Sequence, residues 1–170
     1  MSRKEAWIKT NTKLTLDEVC QWLESIPGWQ DCTAMGSDHR RVFQTTDKFV
    51  KAILIDVGNH RPGTAKNSVK HLGSPTTIMF DFDISRSLEA IGRLDEIYKV
   101  AIAFSKHDDC NFLFSLDDEN VGVISRRDGT CFINPDEFQA ASLAALLTFP
   151  FEFKPNFRPC LLYTSPSPRD

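Results

Sequence analysis

Residues 78–84, Ile-Met-Phe-Asp-Phe-Asp-Ile, place a large apolar side chain at every second position, with Met79, Asp81 and Asp83 between them. Successive side chains of a strand point to opposite faces, so Ile78, Phe80, Phe82 and Ile84 share one face while Met79, Asp81 and Asp83 share the other. A strand covered on both sides, as in a parallel sheet flanked by helices, reads instead as a continuous apolar run. This stretch therefore calls for a sheet with one well-covered face and another that tolerates carboxylates. The rest of the sequence has to supply the cover for that one face.

Two helical patterns do so. Thr15-Leu16-Asp17-Glu18 has the form of a capping box, in which a threonine hydroxyl and a glutamate carboxylate satisfy each other's backbone amides. Leu16, Val19, Cys20, Leu23 and Ile26 then fall on one helical face, and Pro27-Gly28 stops the helix. A second helix, capped by Ser85 or Ser87, is expected to run to about Phe104 with Leu88, Ile91, Leu94, Ile97, Tyr98, Ala101 and Ile102 inward. Strands are expected at 6–14, 41–44, 49–57, 111–116, 121–127 and 130–134. Asp128-Gly129 between the last two is the strongest short hairpin signal in the chain. Pro135-Asp136-Glu137 opens a last helix through Leu147. The order β-α-β-β-β-α-β-β-β-α, rich in hairpins, predicts an α+β fold with an antiparallel sheet and helices packed on one face.

Residues 1–148 are expected to form a single domain, with 149–159 an extended tail rich in Phe and Pro and truncated before its natural end. The final string, CLLYTSPSPRD from Cys160 to Asp170, matches one reading frame of a transposase adapter used in DNA-sequencing libraries. It is read as non-native and set aside from the fold. The remaining four of the five cysteines show no metal-ligand spacing, and Cys20 and Cys131 read as small buried hydrophobes. Met1–Asn11 lacks the apolar stretch of a secretory signal, and no apolar run is long enough to span a bilayer. A cytoplasmic location without membrane association is the expectation. A net charge of −3 and a pI near 5.8 argue against a general nucleic-acid binder.

The chemistry of the alternating stretch admits two readings. Asp81, Asp83 and Ser85 match the Asp-x-Asp-x-(Thr/Ser) spacing of haloacid-dehalogenase-like phosphatases. In that reading Asp81 is the nucleophile, Asp83 the acid/base, and further carboxylates hold Mg²⁺. Such a site belongs at the end of the first strand of a parallel sheet, whereas this strand lies mid-chain and alternates. The architectural reading, two acids on the wet face of an antiparallel strand, is preferred. His107, Asp108 and Cys110 are close in sequence, but a Cys–His nucleophile also needs spatial adjacency and a thiol of lowered pKa. His39 beside Arg40 and Arg41 reads as a surface basic cluster. No catalytic residue and no metal ligand is assigned, and the chain is not expected to be an enzyme.

Charge is segregated along the sequence. Residues 58–75, GNHRPGTAKNSVKHLGSP, read as a loop; Arg61, Lys66 and Lys70 make it basic, and it contains no acid. Asp108 and Asp109 precede the strand 111–116, and Asp117, Asp118 and Glu119 follow it. Opposed charge clusters promote fast, steered association with a complementary protein.

The segment Phe112–Asn134, FLFSLDDENVGVISRRDGTCFIN, resembles the C-terminal hairpins of small bacterial immunity proteins that neutralise polymorphic toxins of the swarming-inhibition type. The shared pattern is an apolar strand (Phe112-Leu113-Phe114), an acidic turn (Asp117–Asn120), a strand ending in arginines (Val123–Arg127), Gly129, and an apolar strand closing on Asn134. The resemblance implies a protein that binds and blocks a cognate toxin, without catalysis or cofactor. The expected partner-binding residues are Asp81, Asp83, Asp108, Asp109, Asp117, Asp118 and Glu119. A Mg²⁺-dependent phosphohydrolase built on Asp81 and Asp83, and an accessory domain of a longer protein, are the rival readings.

Overall fold

A computed structural model describes residues 4–32, 36–85, 93–116, 121–134 and 150–153. One nine-stranded sheet runs through it. Its strands in chain order are β1 (Lys4–Thr10), β2 (Trp29–Asp31), β3 (Arg40–Thr45), β4 (Val50–Asp56), β5 (Ile78–Ile84), β6 (Phe112–Leu116), β7 (Val121–Arg127), β8 (Thr130–Ile133) and β9 (Phe151–Phe153). Across the sheet the order is β2-β3-β4-β5-β1-β6-β7-β8-β9. All neighbours are antiparallel except β8 and β9, so the α+β expectation holds, with a parallel pair added at one edge. The Asp-Gly hairpin forms as read: Asp128 (φ 51°) and Gly129 (φ 86°) both take the left-handed conformations that a tight β8–β7 turn requires.

Helices α1 (Leu16–Glu24) and α5 (Leu94–His107) contribute to the same apolar core. The capping box of α1 is present, with the Glu18 amide donating to Thr15 Oγ1 at 3.2 Å and the Thr15 amide donating to Glu18 Oε1 at 3.0 Å. Phe80 and Phe82 are fully buried on the helix-covered face. Trp22 meets Phe80 and Phe104 edge-on at 6.4 and 5.2 Å, and Phe80 meets Phe104 at 5.3 Å, which ties both helices to β5. Cys20 and Cys131 are buried, and burial pushes the Cys20 thiol up to about 12.

Some boundaries differ from the reading of the sequence. β1 ends at Thr10, because Thr12 turns the chain by accepting from the Leu14 amide at 3.1 Å. β2 was not expected; it is a three-residue edge strand paired with β3. Helix α5 runs on to His107, and Leu88 and Ile91 of its expected face lie outside the described residues, as does the helix expected over 135–147. Of the tail, the described part is strand, with Phe153 66% exposed on β9.

The largest departure is the basic loop. Residues 57–72 form three one-turn helices, α2 (Val57–His60), α3 (Pro62–Ala65) and α4 (Val69–Leu72), joined by a 3₁₀ turn at 66–68. Local chemistry explains each turn. The Asp56 carboxylate caps α2 by accepting from the Asn59 amide at 3.2 Å, Pro62 opens α3, and Gly73 (φ 82°) follows α4. This strap lies on the second face of the sheet, opposite α1 and α5. Val57 and Ala65 pack with Ile53, Ile55 and Met79, and Leu72 packs with Leu113 and Trp7. An acid-free, glycine-rich composition masked three small apolar anchors spaced along it.

Candidate functional site

The second face is the part of the molecule where charge and apolar surface meet. Register places Val42, Ile53, Asp81, Trp7 and Ser115 in one row across strands β3, β4, β5, β1 and β6. The next row towards the strap is Ile55, Met79, Lys9 and Leu113. On the other side lie Gln44, Lys51 and Asp83, with Glu5 opposite Asp83 in β1. Asp81 and Asp83 are half-buried, as the alternation required, because full burial of Phe80 and Phe82 turns them to this face. Two residues of one strand on one face are about 6.5–7 Å apart. Lys9 lies 4.4 Å from the Trp7 ring centroid, a cation–π contact beside Asp81 in the register.

The other acids sit elsewhere. Asp108 ends α5 in extended conformation. Its carboxylate accepts from the Thr12 hydroxyl at 2.7 Å, and its carbonyl accepts from Arg126 Nη1 at 2.7 Å. It thereby joins the end of β1, the end of α5 and strand β7. Asp109 is exposed. Register puts Asp81 and Asp83 towards the Ala6–Leu116 end of the sheet, whereas Thr12 and Asp108 lie past the Thr10–Phe112 end. Trp7 to Thr10 spans about 10 Å of strand, and Thr12 lies two residues beyond the strand's end. Of the expected partner-binding acids, those described thus form two groups at opposite ends. Asp117, Asp118 and Glu119 lie outside the described residues.

The arrangement around Asp81 and Asp83 differs from that of a carboxylate phosphotransfer site. Both flanking strands, β4 and β1, are antiparallel to β5, and both acids are interior to the strand. Among the described residues no group of three or more His, Cys, Asp or Glu side chains is placed to share a metal ion. At the other end, His107 stacks on Trp22 at 5.3 Å, and Cys110 is half-buried with its thiol pushed upward by burial and by Asp108. An activated cysteine needs the opposite shift. No helix among the described residues is long and apolar enough to cross a membrane.

Reading the sequence missed two arginines that tertiary structure gives distinct tasks. Arg126, only 9% exposed, donates to the carbonyls of Ser105 at 2.6 Å and Asp108 at 2.7 Å, and lies 5.5 Å from the Phe112 ring. It satisfies the end of α5, where a cation also complements the helix dipole. Its neighbour Arg127 points to the other face and donates to the carbonyls of Lys70 and His71 at 2.8 and 3.1 Å, holding the strap. Alternation along β7 was the available signal. Around His71 gather Lys9, Arg127 and Lys70, and burial followed by these cations lowers its pKa to about 4. Neither a family model, nor a curated protein, nor a solved structure matches this chain.

Proposed function

We propose that the chain is a protein-binding protein of the immunity type, which neutralises a cognate bacterial toxin in the cytoplasm by covering its working surface. The observation that carries this reading is the placement of Asp81 between half-buried Ile53 and Trp7 on the second face of the sheet. A carboxylate embedded in aromatic and aliphatic surface suits a basic, partly apolar partner: the apolar neighbours supply contact area and the acid supplies steering and register. Asp83, beside Lys51 in the register, extends the acidic part of this face. Asp109 offers an exposed acid at the far end of the sheet, and Asp108 contributes chiefly by fixing the chain there. Blockade of this kind calls for no cofactor and no nucleic acid.

The test is kinetic. The toxin encoded by the reading frame next to this gene is mixed with the wild-type protein, Asp81→Asn/Asp83→Asn and Asp109→Asn, and association is followed by stopped flow across ionic strengths. Loss of two steering charges is expected to slow association roughly tenfold at low salt and to flatten its salt dependence. Asp109→Asn has a smaller effect. Identical on-rates for all three proteins, or no complex with the neighbouring toxin, would reject the reading.

A further inference from the structure

We propose that the strap is a second binding surface, a fixed cationic ridge that docks an acidic polypeptide surface through Arg61, Lys66, Lys70 and the exposed Val69. This goes beyond the acidic-face reading, since it recruits charge of the opposite sign on a different element.

The ridge is anchored from below. Val57, Ala65 and Leu72 are each 1% exposed. The Leu72 carbonyl accepts from Asn11 Nδ2 at 3.2 Å and Asn111 Nδ2 at 2.8 Å, and the Ala65 carbonyl accepts from the Thr76 amide at 3.0 Å. His60 at the end of α2 stacks on His39 at 4.4 Å. Docking on such a ridge avoids most of the ordering entropy that a mobile loop would lose.

What it presents outward is one-sided. Arg61, Lys66 and Lys70 are exposed, and residues 58–75 carry no acid. Among the described residues neither Arg61 nor Lys66 takes part in an ion pair. Lys9 and Arg127 lie beneath and add to the same field, which already disfavours a proton on His71. Val69, 37% exposed, is one of two large hydrophobics left exposed among the described residues. An exposed apolar residue on the same strap as exposed cations suits the pattern of protein interfaces, in which apolar contact is combined with polar surroundings. A polyphosphate chain has no apolar group to set against Val69, whereas an acidic polypeptide does.

The experiment uses the full chain and two labelled probes at low ionic strength, read by fluorescence anisotropy. One is a short peptide of Glu and Asp with a central Leu; the other is a single-stranded oligonucleotide of equal charge. The peptide is expected to bind, and Arg61→Glu/Lys66→Glu/Lys70→Glu to weaken it roughly tenfold or more, with added salt doing the same. Val69→Ser is expected to weaken it about threefold. Asp81→Asn/Asp83→Asn leaves peptide binding intact, so this result stands or falls apart from the toxin reading. The side chains substituted on the strap are exposed, those of Asp81 and Asp83 are half-buried, and an unchanged thermal melt shows that each variant is folded. Absence of peptide binding, equal binding by the charge-reversed variant, or tighter binding of the oligonucleotide would each overturn the proposal.

Discussion

Phe80 and Phe82 are fully buried against the aromatic groups of α1, α5 and β2, whereas Asp81 and Asp83 face the opposite side of the same strand and keep part of their surface accessible. The two faces of the sheet differ in kind. The helix-covered face is one apolar cluster reaching from Trp29 in β2 to Ile133 in β8, with Phe151 packed against it. The second face holds two small clusters, pinned by a strap and interrupted by charge. The contrast teaches that apolar packing is concentrated on one face, so that substitutions on the other should cost much less stability.

The sharpest way to break that contrast is to empty the core. Phe80→Ala is expected to destabilise the fold by about 3–5 kcal/mol in urea denaturation, the usual range for a buried aromatic. A small loss would mean that the second face carries more of the stability than its clusters suggest. Next comes the arginine pair. Arg126→Ala should cost about 2–4 kcal/mol, because it leaves two carbonyls at the end of α5 without their donor. Arg127→Ala, on the half-exposed strap side, should cost about 1 kcal/mol by the same measurement. Equal losses would erase the distinction between the faces at β7.

A smaller effect follows from His71. Its pKa is lowered from 6.5 to about 4 in the folded protein, so between those values the unfolded chain binds a proton that the folded chain refuses. Stability should therefore decline as pH falls from above 6.5 towards 4, and His71→Gln should remove that part of the slope. Chemical denaturation across this pH range checks it. Asp81→Asn and Asp83→Asn should each cost no more than about 1 kcal/mol, because the side chains are half-buried and the amide keeps their shape. A larger loss would make the acids part of the scaffold.

Much of this division was legible before the fold was known. Alternation in 78–84 placed the two acids opposite the core, and the Thr15–Glu18 pattern fixed the start of α1, because both signals are local. The strap was not legible. Its anchors, Val57, Ala65 and Leu72, are too far apart for a period and gain meaning only against Ile55, Met79 and Leu113. The candidate site was legible as residue types and not as an arrangement. Asp108 read as one of the partner-binding acids, but its carboxylate accepts from Thr12, ninety-six residues away in sequence. Register of strands brought Lys9 and Arg127 to His71, and no spacing within one segment encodes that.

The position of β1 has a consequence for synthesis. Strand β1 has as its neighbours β5 and β6, so its pairing awaits residues 78–84 and 112–116. Loop closure over such separations slows folding, and the N-terminal strand is exposed in the meantime. A substitution that weakens the β1 contacts, such as Ile8→Val, should then speed unfolding more than it slows refolding. That asymmetry would be the mark of a sheet whose centre is its last part to close.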